Sequence, residues 1–240
     1  MSKKFELISF ANADDLARAA ASACLDEIEI ANRANEKFCV ALSGGRIAQK
    51  FYTQTVEQAK GRKIAFARVH FFWADERCVP PTDPESNFKI ANDLLFLPLK
   101  ISENQIHRLR GEILPDAAVK IAEAELCQIA PDKNNFSKLD LIFLGMGEDG
   151  HVASIFPNAS PEIFNLAVQF LVIHDSPKPP PTRISLSFAA IVAAKKVWVL
   201  VSGSGKEAAL RDSLDFPDKT PFGRVIQTRA YTKIFSDLKI

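Results

Sequence analysis

The sharpest chemical signal in the chain is a histidine at the end of a glycine-rich run. Gly145-Met146-Gly147-Glu148-Asp149-Gly150 carries three glycines in six positions and is followed directly by His151. A loop of that composition can wrap closely around a ligand. An imidazole at its end can serve as a general base, because its ordinary pKa lies near neutrality. Asp149, two residues earlier, could orient the ring or stabilise its charged form. The plainer reading has His151 capping the following turn. His70, His107 and His174 lack this setting and are expected to be structural.

Cations and a second glycine pair suggest what such a base would act on. Arg183 follows a proline loop at 178–181, and Lys206 follows Gly203-Ser204-Gly205. Both could clamp a phosphate, Arg through its planar fork and Lys as a point charge. Taken singly, both could equally be surface cations. Ser43-Gly44-Gly45 would let backbone N–H groups approach an anion at a helix start, although a tight turn uses glycine just as well. Asp75-Glu76-Arg77 is either a solvated turn or a set of contacts to polar substrate groups. The Ser43-Gly44-Gly45 stretch is neither a Walker loop nor a dinucleotide fingerprint. No zinc-like spacing and no G-x-S-x-G occurs. A hydrolase built on these residues is expected to use no metal, no cofactor and no serine nucleophile.

Elements able to position these residues alternate along the chain. Strands are expected at 5–10, 38–42, 69–74, 139–144, 170–173 and 197–201, with helices over 14–34, from 46 to about 59, over 87–95 and over 206–214. A loop with three prolines covers 78–85. Apolar runs with little polar alternation suit strands covered on both faces. The predicted fold is therefore α/β, a doubly wound, mostly parallel sheet with helices on both faces, spanning residues 1–240 as a single domain. In such a sheet ligands bind at the carboxyl ends of the strands. The segments 43–46, 75–77, 145–151 and 202–206 each follow an apolar run, so all four are expected there.

Bulk properties narrow the field further. The 240 residues are 47% hydrophobic and 25% charged, and 30 basic against 29 acidic residues leave a net charge of +1. That balance argues against a nucleic-acid partner. Cys24, Cys39, Cys78 and Cys127 are too scattered for a disulfide framework and fit a reducing compartment. The opening Met1-Ser2-Lys3-Lys4 and the short run after it lack signal-peptide features. No apolar stretch nears the ~18 residues of a membrane span. A cytoplasmic address with no membrane partner is expected.

Taken in order, the motifs resemble the 6-phosphogluconolactonase family. The matching stretches are Leu42-Ser43-Gly44-Gly45, then Trp73-Ala74-Asp75-Glu76-Arg77-Cys78-Val79-Pro80 with Ser86-Asn87, then 145–157, and finally Arg183-Ile184-Ser185 with Gly203-Ser204-Gly205-Lys206. The third is long and specific. The resemblance implies a sugar-phosphate isomerase-like Rossmann variant that opens 6-phosphogluconolactone. His151 would activate water, and Arg77 would contact oxygens at the reacting end. Asp75 would hold Arg77 or substrate hydroxyls. The phosphate would lie against Ser43, Gly44 and Gly45, flanked by Arg183 and Lys206. The resemblance also suggests functional coupling to the glucose-6-phosphate dehydrogenase that supplies the lactone. Related glucosamine-6-phosphate deaminases resemble Asp-Glu-Tyr at 75–77 and Ala-Phe-Asn-Glu after the Gly-His pair, where this chain has Val152-Ala153-Ser154-Ile155. A deaminase or isomerase, and a non-catalytic sugar-phosphate sensor, are the two other readings. One departure stands out: the family's first loop usually continues Ser/Thr-x-Pro, and here Arg46-Ile47-Ala48 follows, so that Arg46 would either give the phosphate a charge-assisted contact in place of the hydroxyl or point to solvent.

Overall fold

Phe38–Leu42 (β2) is buried at every position, as a strand between two helix layers must be. The computed structural model describes residues 4–132 and 136–240. Residues 1–3, the start of the Met1-Ser2-Lys3-Lys4 run, lie outside the described residues. Beside β2 lie Phe5–Ser9 (β1), Val69–Trp73 (β3), Leu141–Gly145 (β5), Lys196–Val201 (β8) and Thr232–Ser236 (β9). These six strands form one sheet in the order β1-β9-β8-β5-β2-β3, with every pairing parallel. The chain departs from β2 toward β3 on one side and later returns to β5 on the other. The β2–β5 junction is thus a topological switch point, where open α/β sheets leave a crevice.

Helices cap where the local sequence provides for it. Ala13–Ala34 (α1) starts at Asn12, whose side chain accepts from the N–H groups of Asp14 and Asp15 at 3.0 and 2.9 Å. A cap of this kind is worth about 1 kcal/mol. The helix ends at Asn35 in the left-handed conformation, φ 59°. Arg46–Arg62 (α2) packs against α1. Glu207–Asp215 (α7) packs against Pro221–Thr228 (α8), which Thr220 caps through the N–H of Gly223 at 2.9 Å. The aromatic side chains of Trp73, Phe72, Phe96 and Tyr52 are fully buried in the core. The four cysteines are free, and burial pushes the Cys39 thiol up to about 12.

A second, smaller sheet was not anticipated. Asp75–Arg77 (β4), Arg183–Leu186 (β7) and Phe170–Ile173 (β6) form an antiparallel sheet in the order β4-β7-β6. Ala74 is the crossing point. Its N–H donates to Leu42 O at 2.7 Å, and its carbonyl accepts from Leu186 N–H at 2.7 Å. The chain therefore steps from the large sheet to the small one within a single residue. Asp75-Glu76-Arg77 is accordingly no solvated turn, since Asp75 and Glu76 are both buried.

The helix expected over 87–95 also differs. Asn87–Ala91 (α3) gives way to a π-helical turn over Asn92–Phe96 and a last turn at Leu97–Leu99 (α4). Pro98 has no N–H and its ring would press on the carbonyl of Leu94, so the preceding turn widens. Pro115–Ile129 (α5), Phe188–Ala193 (α6), α8 and β9 were not anticipated. Among the described residues, no helix is long and apolar enough to cross a membrane.

Candidate active site

Strands β8, β5, β2 and β3 are neighbours, and the loops at their carboxyl ends meet over one cavity of about 370 Å³. Small-molecule sites typically measure about 300–1,000 Å³. All ten residues singled out above except Asp149 line it: Ser43, Gly44, Gly45, Arg46, Asp75, Arg77, His151, Arg183 and Lys206. Asp149 stands directly behind, against His151.

The 145–151 loop shapes itself around the imidazole. Gly147 N–H donates to His151 O at 2.9 Å, and Gly150 N–H donates to Gly147 O at 3.1 Å. Nδ1 of His151 lies 2.5 Å from Asp149 Oδ1, which also accepts the His151 backbone N–H at 3.2 Å. With Nδ1–H donating to the carboxylate, Nε2 keeps its lone pair. Gly147 has to lack a side chain, because a Cβ there would stand 2.0 Å from Nδ1. Phe156 backs the ring, centroid to centroid 4.4 Å. Burial pushes the imidazole below its ordinary pKa, outweighing the opposite pull of Asp149. Partial burial of Asp149 works against ionisation, but the hydrogen bonds it accepts from His151 hold its carboxyl below the usual range. The pair is therefore a neutral imidazole beside a carboxylate at neutral pH, the form a general base requires.

Register in the small sheet sets the next group. Arg77 pairs with Arg183, and Asp75 with Ser185, so Asp75, Arg77 and Arg183 share one face and Glu76 takes the other. Asp75 was expected to hold Arg77 or substrate hydroxyls, and no Asp75–Arg77 bond is found among the described residues. Instead its Oδ2 accepts the Ser154 hydroxyl at 2.7 Å and faces Arg183 Nη1 at 3.9 Å. Arg77 donates to the Glu85 carbonyl at 2.5 Å, and its buried Nε has no partner. Arg183 is only 4% exposed. Its Nε donates to Pro180 O at 3.1 Å, and Nη2 to Lys178 O and Pro179 O at 3.0 and 3.2 Å. The guanidinium also lies over the Phe156 ring, 5.8 Å from its centroid. Arg183 and His151 therefore flank the same aromatic ring.

The opposite end of the cavity is built from the β2 and β8 loops. Ser43 Oγ donates to Phe143 O at 2.7 Å, tying the end of β2 to β5. Gly45, at φ 96°, occupies the N-cap of α2 and brings no side-chain cap of its own. Arg46 reaches across toward the β8 loop, its Nη2 lying 3.7 Å from where a Gly203 Cβ would be. Burial lowers the pKa of Lys206, and Arg46 adds to the effect while Glu148 opposes it. Arg46 and Lys206 thus line this part of the cavity together, with Glu148 beside them, and the two cations could serve an anion.

Two cavity residues escaped the sequence reading. Lys178 was assigned only to a proline loop, and Asn87 appeared only within a motif. Both line the same space. The Lys-Pro-Pro spacing and the Ser86 N-cap were the available signals, and each is weak. His70 and His107 lie elsewhere, joined Nδ1 to Nε2 at 3.0 Å with His107 stacked on Phe72. Among the described residues, no three His, Cys, Asp or Glu side chains gather as metal ligands.

The chain is similar to known proteins in both sequence and fold. Residues 11–234 match the family described as Glucosamine-6-phosphate isomerases/6-phosphogluconolactonase. The 6-phosphogluconolactonase of Mycobacterium tuberculosis is 35% identical over 227 residues, covering 91% of this chain and 88% of its own. That of Haemophilus influenzae is 36% identical over 187 residues, covering 78% and 77%. The crystal structure of the Thermotoga maritima 6-phosphogluconolactonase superposes with a TM-score of 0.80 at 29% identity, over 97% of this chain and 98% of that one. The α/β sheet thus brings a histidine and several cations to one switch-point cavity. The chain belongs to the glucosamine-6-phosphate isomerase/6-phosphogluconolactonase family.

Proposed function

We propose that this chain hydrolyses 6-phospho-D-glucono-1,5-lactone to 6-phosphogluconate, with His151 drawing the proton from the attacking water. Relatives at about 35% identity over most of their length carry the lactonase name, which supports this reading. The observation that carries the reading is a single cavity lined by both an Asp149-anchored imidazole and the cations Arg46 and Lys206.

The water oxygen adds to the lactone carbonyl carbon while Nε2 of His151 takes its proton. The resulting alkoxide is stabilised by Arg77, whose guanidinium borders the cavity. Collapse re-forms the carbonyl and breaks the bond to the ring oxygen, which receives the proton from the imidazolium. The product is the open acid. General-base help of this kind is worth about 10²–10⁴-fold. Arg183 belongs to this end, through Asp75, rather than to the phosphate. The phosphate lies against Gly44 and Gly45 between Arg46 and Lys206, with Lys178 as a third cation. Anchoring the phosphate turns the carbonyl toward His151 and makes the reaction effectively unimolecular. No step calls for a metal or a cofactor.

In this reading residues 1–240 act as one catalytic domain in the cytoplasm, consuming the lactone that a glucose-6-phosphate dehydrogenase forms. The test generates the lactone enzymatically and follows its loss with and without the protein. Loss faster than the spontaneous rate is expected, with no ammonia released from glucosamine 6-phosphate. Ammonia release without lactone hydrolysis would replace the reading with the deaminase one.

A further inference from the structure

Just past the end of β9 stands an acid, Asp237, that the proposed reaction leaves idle. β8 and β9 run parallel with Val201 opposite Ser236, so Asp237 leaves the sheet beside Ser202. The Ser202 hydroxyl donates to Oδ2 of Asp237 at 2.8 Å. The Asp237 N–H donates to the carbonyl of Val201 at 3.4 Å, and the Leu238 N–H donates to the Ser236 hydroxyl at 3.1 Å. The two strand ends are thus tied together where the chain leaves β8. Ser202 lines the cavity, and so does Lys206, further along the same loop.

That loop has little else to hold it. Gly203 and Gly205 stand at φ 100° and 89°, a region that glycine enters freely and without side-chain contacts to fix it. The Gly205 N–H donates to Glu207 Oε2 at 2.9 Å, which secures the end next to α7. The Ser202–Asp237 bond secures the other end. Charges from four other elements act on the Lys206 ammonium: Arg46 at the start of α2, Glu148 after β5, Lys178 in the proline loop and Asp237 after β9. Burial lowers its pKa, Arg46 and Lys178 act in the same direction, and Glu148 and Asp237 oppose them. Oδ1 of Asp237 is buried without a hydrogen-bond partner, which is costly for a carboxylate. Attraction to Lys206 offsets part of that cost.

We propose that Asp237 is a positioning residue for Lys206: through Ser202 it holds the loop that presents the ammonium, and its charge offsets the cations around it. Its effect on catalysis rests on the reading in which Lys206 takes the substrate's phosphate. The link between Asp237 and Lys206 does not.

The test separates the bond from the charge. Lysines are labelled with carbon-13 at Cε, and the Lys206 signal is identified by its loss in Lys206→Met. Its titration is then followed by NMR in wild type, Asp237→Asn and Ser202→Ala, with 6-phosphogluconate binding measured by calorimetry over the same pH range. Asp237→Asn keeps an acceptor for Ser202 and loses the charge. Lys206 should therefore give up its proton at lower pH, and the alkaline fall in product affinity should move with it. Ser202→Ala keeps the charge, so the titration should stay in place while affinity falls about three- to tenfold, the scale of one hydrogen bond. Asp237→Glu should bring the titration back toward wild type, a rescue that a merely loosened fold would not show. Asp237→Ser serves if the asparagine variant fails to fold. A Lys206 titration indifferent to loss of the Asp237 charge overturns the charge role, and unchanged affinity in Ser202→Ala overturns the tie. A shifted titration in a protein whose wild type binds no product keeps the Asp237–Lys206 link and removes the phosphate reading.

Discussion

Nδ1 of His151 is taken by Asp149, so Nε2 is the nitrogen left to accept a proton. Replacing Asp149 by Asn removes both the hydrogen bond that fixes this tautomer and the charge that raises the pKa of His151. The kcat of Asp149→Asn should fall about 10²–10⁴-fold. The acid limb of its pH–kcat profile, where protonation of His151 ends catalysis, should move to lower pH. A limb moving to higher pH would contradict the assignment. Gly147→Ala tests the same ring by crowding: the new Cβ would stand 2.0 Å from Nδ1, so the imidazole must shift. A misplacement of about 1 Å costs on the order of 10²-fold. Steady-state kinetics should record that loss in kcat with little change in KM, because the phosphate contacts are elsewhere.

Among the elements, β7 and the 178–180 loop depend on one side chain. Arg183 bonds three carbonyls of that loop and faces Asp75. Arg183→Ala should lower stability by about 1.5–3 kcal/mol, the range for hydrogen bonds involving a charged group. It should also raise KM, since the loop carries Lys178. Lys178→Ala should raise KM with an unchanged thermal midpoint. Equal midpoints for both variants would show that Arg183 is not the strut. The pairing that creates this strut explains why it was hard to read in advance. The 145–151 loop advertised itself through glycines, an acid and a histidine close together in sequence. The β4–β7 register joins Arg77 to Arg183 across a long sequence separation, and no local pattern reports it. Helix α5 was missed for a related reason, since Ala118 and Ala122 make a faint apolar stripe.

For the molecule as a whole, a net charge of +1 conceals an uneven field. Arg46, Lys178 and Lys206 all border one cavity, where a phosphate with two negative charges would be drawn in. Added salt screens such attraction over about 10 Å at 0.1 M. KM should therefore rise with ionic strength while kcat stays nearly level, and Lys206→Ala should flatten that dependence. The parallel sheet and the convergence of its loop ends were legible because buried runs and glycine breaks alternate along the chain. The surroundings of the cations were not, because no local pattern reports that Arg183 bonds the 178–180 carbonyls or that Arg46 lies beside Gly203.

The most direct test of the account is His151→Gln, assayed for lactone turnover and, by calorimetry, for binding of the product 6-phosphogluconate. The account predicts kcat reduced about 10²–10⁴-fold with product affinity nearly unchanged. Turnover close to wild type would contradict it, because the proton would then be leaving water by some other route.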